Sequence, residues 1–76
     1  MDWHIARSAR KHGTSEEDIE HALDHWIYSH DIGEGFAMFV GPATNAALLE
    51  VGLVTIAGDT HVVHAMPARS KYLRGR

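Results

Sequence analysis

Residues 14–27 read TSEEDIEHALDHWI, and this stretch decides the fold. Thr14 followed by Glu17 has the form of a capping box, and the acidic residues after it suit the positive end of a helix dipole. The apolar residues then recur with the spacing of one buried helical stripe. They are Ile19, Ala22, Leu23, Trp26 and Ile27. The sequence therefore predicts an amphipathic helix that begins at Thr14 or Ser15 and reaches at least Leu23.

The segment before this helix is predicted to form a second, shorter helix. Residues 5–12 lead to Gly13, a residue suited to the left-handed conformation that follows a helix end. Ile5, Ala9 and His12 would share one side of this helix. We expect the cations of the segment to face solvent on the other side.

After residue 27 the apolar pattern changes to that of strands. Glycines bracket a turn at residues 33–35, and residues 36–40 and 48–56 are largely apolar, the second as expected of a strand covered on both faces. Residues 57–59 form a turn that leads into the valine-rich residues 61–66. We expect these last two segments to pair as an antiparallel hairpin.

The chain ends in a segment that predicts a short terminal helix, because Pro67 suits a first helical turn and residues 68–73 could continue it. Consecutive strands joined by short turns imply an antiparallel sheet. The amphipathic helix needs an apolar surface to cover, and one face of that sheet supplies it. The predicted class is α+β. We expect two N-terminal helices to pack on a three- to four-stranded antiparallel sheet, followed by a short C-terminal helix. Residues 1–76 are expected to form a single domain.

Composition narrows the function classes. A chain of 76 residues with 45% apolar residues has little room for a deep substrate pocket, which disfavours a self-contained metabolic enzyme. It contains no cysteine, which excludes disulfides, zinc thiolate sites and cysteine nucleophiles. Neither a leader pattern nor an apolar run of membrane-spanning length is present, so we expect a cytoplasmic protein without a membrane segment.

The charges are segregated along the chain. The net charge is -3, yet all seven cations lie near the two ends, while residues 12–68 contain nine acids and no Lys or Arg. The cations are Arg7, Arg10, Lys11, Arg69, Lys71, Arg74 and Arg76. If the ends meet, they form a basic patch on an acidic body. We expect an N-terminal cation within about 8 Å, one Debye length, of Arg69 or Lys71.

Three segments resemble those of a known family. Residues 9–17 read ARKHGTSEE and resemble the Lys-His-Gly-x-Ser-x-Glu-x-Ala start of the BrnT-like toxins. Residues 49–52, LEVG, and residues 62–69, VVHAMPAR, lie where those proteins place an Ile-Gly strand and a closing strand that enters an arginine-rich segment. The resemblance covers roughly residues 3–27 and 48–73.

The resemblance implies a RelE/BrnT-like domain, a small antiparallel-sheet fold whose members cleave RNA and are held inactive by an antitoxin encoded beside them. This chain would be the toxin component of a bacterial toxin-antitoxin pair. It would be a metal-independent endoribonuclease acting on mRNA, free or on the ribosome, with the antitoxin as partner and no cofactor. Because the chain is acidic and its closing segment holds fewer cations than the family's, a non-catalytic protein-binding module or regulator that shares the fold is the alternative.

The candidate site residues follow from the chemistry of RNA cleavage, which needs a proton acceptor and cations at the phosphate. The catalytic candidates are Lys11, His64, Arg69 and Lys71, and the RNA-binding candidates are Arg7, Arg10, Tyr72 and Arg74. The alternatives are solvated surface cations, a partly buried structural role for His64 and a packing role for Tyr72. Joint replacement of Arg69 and Lys71 is expected to remove toxicity with little effect on stability.

Seven histidines invite a metal hypothesis, and His21 and His25 have the i, i+4 spacing of metal-binding helices. Both project away from the apolar stripe into an acidic surface, and spacing indicates no third ligand. A solvated helix face is therefore the preferred interpretation, and no metal site is predicted.

Overall fold

The computed structural model describes residues 4–10 and 13–73, apart from the side chains of Ser8 and Arg10. The elements are β1 (His4–Ile5), a 3-10 turn (Arg7–Arg10), α1 (Glu16–Asp24), β2 (Tyr28–Gly33), β3 (Phe36–Pro42), β4 (Leu48–Ile56), β5 (Asp59–Pro67) and a second 3-10 turn (Ser70–Tyr72). The strands form one sheet in the order β1-β5-β4-β3-β2. The β1 strand is parallel to β5, and all other neighbours are antiparallel.

The predicted arrangement of two N-terminal helices on a three- to four-stranded antiparallel sheet is wrong. Where the first helix was expected, Ile5 pairs with Val62 and the Ala6 amide donates to the Val62 carbonyl oxygen at 2.8 Å, so the backbone joins the edge of the sheet. Only a four-residue 3-10 turn follows. The expected C-terminal helix is likewise a single 3-10 turn. The described residues thus contain one α-helix on a five-stranded mixed sheet.

The helix α1 was predicted correctly in its position but not in its full length. Its N-cap is Ser15, whose hydroxyl oxygen accepts a hydrogen bond from the Asp18 amide at 3.1 Å. It ends at Asp24, so the expected continuation of the stripe is wrong: Trp26 and Ile27 are 50% and 52% exposed. The Ile27 amide already donates to the Val40 carbonyl oxygen at 2.7 Å, which draws the chain into β2 and ends the helix.

One face of the sheet, here the helix face, carries Leu49, Val51 and Leu53 of β4 and is covered in part by α1. Ile19 and Leu23 of the helix are buried in the same core cluster. The helix lies so close to β3 that a side chain at Gly41 would collide with the backbone of Ala22. The other buried residues of this core cluster are Ala9, Ala22, Ala43, Val62 and Ala65.

The opposite face, here the carboxylate face, carries Glu50, Gly52 and Val54 of β4, which alternate with the helix-face residues. The β5 strand pairs with β4 as the predicted hairpin, with a register shift after Gly52 that leaves Val63 as a bulge residue. The C-terminal segment, residues 68–73, runs over this face. Its start contacts β4 at Glu50 and its end contacts β2 at His30, so it crosses β3 between them.

Candidate functional site

A fully buried carboxylate lies at the centre of the carboxylate face. Glu50 is 0% exposed and pairs with Val40 on one side and Met66 on the other. Its two oxygens accept four hydrogen bonds from Arg69: from the backbone amide at 2.9 Å, from Nε at 3.1 Å to each oxygen, and from Nη2 at 2.7 Å. This forked geometry anchors the C-terminal segment on the sheet.

A histidine completes the group around this carboxylate. His64 Nε2 lies 2.8 Å from Glu50 Oε2, and the His64 side chain is 24% exposed. The strand partner of His64 is Gly52, where an added Cβ would lie 3.0 Å from the His64 Cβ and 2.9 Å from an aromatic carbon of Phe36. A glycine at this position therefore leaves His64 room to lie beside Glu50, while part of its ring reaches the surface.

The contacts between Glu50 and Arg69 stabilise the charged form of each. Burial alone would raise the pKa of Glu50, because the charged form loses its hydration. Hydrogen bonds from the side chain and amide of Arg69 and from His64 outweigh that effect and hold the pKa of Glu50 below its ordinary value of 4.5. The same hydrogen bonding to Glu50 raises the pKa of Arg69. Glu50 is therefore ionised at neutral pH.

Aromatic and basic side chains of the C-terminal segment lie around Arg69, which is paired with Glu50. The Tyr72 ring centroid lies 5.5 Å from the Arg69 guanidinium carbon and 5.0 Å from the Lys71 ammonium. His30 Nε2 lies 3.0 Å from the Tyr72 carbonyl oxygen, to which it can donate, and the two rings are 5.4 Å apart. The structure thus brings together four of the residues proposed from the sequence: His64, Arg69, Lys71 and Tyr72.

Sequence reasoning missed Glu50 and His30. Glu50 had a signal: it is the single charged residue in the apolar run 48–56, and a carboxylate in a strand covered on both faces needs a partner. His30 had none, because its place opposite the C-terminal segment depends on a contact 42 residues away in sequence.

The remaining candidates are not gathered there by the described contacts. Arg7 is exposed in the first 3-10 turn, and only the backbone of Arg10 is described. Lys11 and Arg74 lie outside the described residues. Because β1 runs parallel to β5, the chain after Ile5 leads toward the end of β5 at which Arg69 lies. The meeting of the two basic ends stays a prediction.

The paired histidines of α1 have local partners. His21 Nδ1 donates to the Pro42 carbonyl oxygen at 2.7 Å, and His25 Nδ1 donates to the His21 carbonyl oxygen at 3.0 Å. Their rings stack with centroids 4.4 Å apart. Within residues 4–10 and 13–73, no three His, Asp or Glu side chains converge as a metal ion would require.

An apolar recess lies beside the Glu50 group on the carboxylate face. It has a volume of about 710 Å³, and its lining includes Phe36, Val54 and Val63. Phe36 is the residue that contacts the Gly52 position, and Val63 directly precedes His64. The recess is therefore within reach of a molecule bound at His64.

Comparison with protein family models, with curated proteins and with solved structures yields no match. No helix in the described parts of the chain is long and apolar enough to cross a bilayer.

Proposed function

We propose that this chain is a metal-independent endoribonuclease of the toxin-antitoxin type. The observation that carries the proposal is the ionised, buried Glu50 that holds the partly exposed His64 beside the cationic C-terminal segment. A carboxylate paired with an imidazole holds the ring in a fixed orientation. A histidine held in this way is suited to exchange a proton with a bound RNA.

The reaction needs only the chain, the RNA and water. His64 accepts the proton of the ribose 2′-hydroxyl, and the 2′-oxygen attacks the adjacent phosphorus. The bond to the 5′-oxygen breaks, that oxygen takes a proton from water, and the hydroxide left behind takes the proton held by His64, which restores the neutral imidazole. The products are a 2′,3′-cyclic phosphate and a 5′-hydroxyl, and the Glu50 carboxylate offsets the positive charge on His64 during the reaction.

The two cations of the C-terminal segment have separate roles in this proposal. Arg69 is a positioning residue, because its guanidinium is committed to Glu50. Lys71 is exposed and supplies positive charge to the phosphoryl oxygens. The recess at Phe36 takes a neighbouring base by stacking. The cytoplasm, where mRNA and an antitoxin encoded beside the chain would be present, is the proposed location.

The test is cleavage of a fluorogenic RNA oligonucleotide by the purified chain, with and without a chelator. We expect His64→Gln to abolish cleavage and Lys71→Ala to reduce it by about tenfold to a thousandfold, the range typical of a transition-state donor or cation. The matched control is His61→Gln, which changes a histidine of the same strand that stacks on His4 instead. The control should cleave like the wild type.

Four results decide the proposal. Wild-type cleavage that resists the chelator and yields cyclic phosphate ends supports it, as does growth arrest that His64→Gln relieves in cells. Equal cleavage by His64→Gln and the wild type would contradict the assigned role. A folded wild type that cleaves neither free RNA nor ribosome-bound mRNA would contradict the activity itself.

The alternative is a binding module or regulator with the same fold and no reaction. The mutual neutralisation of Glu50 and Arg69 favours it, because it leaves less free positive charge for RNA than the sequence suggests. Tight binding of a partner protein without cleavage or growth arrest would select this alternative.

A further inference from the structure

The helix α1 is too short to cover the helix face. Its nine residues span about 13.5 Å, whereas the nine residues of β4 span about 30 Å. A cleft of about 390 Å³ lies beyond the C-terminal end of the helix. Its lining includes Leu23, Trp26, Ala37, Phe39 and Leu53.

The cleft has an exposed aromatic wall. The Trp26 ring meets Phe39 edge to face, with centroids 5.4 Å apart, and Trp26 remains half exposed to solvent. The next residue, Ile27, is also exposed. Tryptophan is one of the residue types enriched among the residues that anchor protein interfaces. The aromatic wall therefore indicates a protein partner.

The charges around the cleft are acidic. Asp24 ends α1 next to the wall, and Asp31 is the cross-strand neighbour of Ala37 in the floor. Residues 12–68, which supply these acids and the lining of the cleft, contain no Lys or Arg. A negative rim around an apolar floor attracts a cationic ligand and disfavours RNA.

We propose that this cleft, here called the Trp26 cleft, docks a basic amphipathic helix of a protein partner. The apolar stripe of that helix packs on Ala37, Phe39 and Leu53, as α1 packs on the neighbouring part of β3 and β4. Its cations face the acidic rim. A second copy of the chain would bring its own acidic middle to this rim, which like-charge repulsion opposes. The site lies on the face opposite Glu50, so it is independent of RNA cleavage.

Three synthetic peptides of about 16 residues, long enough for a helix, test this proposal. The first has a leucine stripe at helical spacing and lysines elsewhere, the second has glutamates in place of the lysines, and the third is a scrambled form of the first. Binding to the isotope-labelled chain is followed by NMR. We expect the basic amphipathic peptide to bind and to shift the signals of Ala37, Leu53 and the Trp26 indole. The acidic peptide should bind at least about tenfold more weakly.

Variants locate the peptide on the chain. Trp26→Ala should weaken binding by about tenfold or more, as expected of an anchor residue, while thermal unfolding confirms that the variant is folded. The matched control is Ile32→Ala, which removes an exposed apolar side chain from the recess on the carboxylate face. The control should bind like the wild type.

Four results of these binding experiments would overturn the proposal, and a fifth comes from the free chain. They are equal binding of the scrambled peptide, signal shifts confined to residues outside the cleft, equal losses in the two variants, and RNA-induced shifts at Trp26. Self-association of the free chain that Trp26→Ala abolishes would also overturn it, because a second copy would then be the occupant.

Discussion

The two faces of the sheet are covered by different means. On the helix face, α1 buries apolar side chains against Val51 and its neighbours, and the contacts are non-directional. On the carboxylate face, a segment with one 3-10 turn is fastened through directed hydrogen bonds to Glu50. The first kind of cover stabilises the fold, whereas the second holds polar groups in a defined geometry at the surface.

This difference predicts where a substitution affects stability and where it affects chemistry. Side chains of α1 that lie in the core should mainly affect folding. His64 and Lys71 are partly or well exposed, so they should mainly affect activity. Arg69 belongs to both groups, because it is half-exposed and also balances a buried charge.

The largest effect is expected in the core between α1 and the sheet. Leu23→Ala should lower the free energy of unfolding by about 2 to 5 kcal/mol, because it leaves a cavity between α1 and the sheet. Ile56→Ala, at an exposed apolar position near the end of β4, is the control and should stay within about 0.5 kcal/mol. Urea denaturation measures both. Similar losses would mean that α1 contributes little to the core.

The next effect separates the two cations of the C-terminal segment. Arg69→Ala should lower the melting temperature clearly, because it leaves the buried Glu50 charge without its main partner. Lys71→Ala should change the free energy of unfolding by no more than about 0.5 kcal/mol. Joint replacement is therefore no longer expected to leave stability unchanged. If Arg69→Ala melts like Lys71→Ala, the contact with Glu50 does not support the fold.

The Glu50 group should also make stability depend on pH. The folded-state pKa of Glu50 lies below its unfolded value of 4.5, so its contribution is complete above that pH and is lost as the pH falls through the folded-state pKa. Glu50→Gln should reduce the slope of stability against pH in this acid range. Asp18 also has a lowered pKa, through hydrogen bonds from the side chain and backbone of Thr44, so Asp18→Asn is a separate comparison. If Glu50→Gln leaves the slope of stability against pH unchanged, the lowered pKa of Glu50 is contradicted.

The smallest effect concerns the start of α1. Ser15→Ala removes the hydroxyl that caps the Asp18 amide and should cost about 1 kcal/mol. Thr14→Ala is the matched control, since Thr14 precedes the observed cap, and it should cost less than about 0.5 kcal/mol. The reverse order would place the cap at Thr14, where the capping-box pattern suggested it.

The sequence predicted what depends on local patterns. The core of α1 and the β4-β5 hairpin follow from apolar periodicity and turn residues, both of which act over a few positions. The β1 strand could not be predicted, because its two residues are held by a parallel partner more than 50 positions away. The helical appearance of residues 5–12 was overridden by that pairing.

The candidate site shows the same limit. His64, Arg69, Lys71 and Tyr72 were selected by chemical type and resemblance, and the C-terminal segment brings them together. The interaction that organises them was missed, because Arg69 was predicted to stabilise charge on the RNA phosphate and Glu50 was treated as part of an apolar strand. Only the fold places the two in contact.

The central claim is that an ionised Glu50 organises the carboxylate face, and NMR titration of the glutamate side-chain carboxyl carbons tests it most directly. The Glu50 signal, assigned with Glu50→Gln, should titrate with a midpoint below 4.5, and Arg69→Ala should raise that midpoint because the main hydrogen-bond donor is lost. A Glu50 midpoint at or above 4.5 in the folded wild type, or one that Arg69→Ala leaves unchanged, would contradict the account.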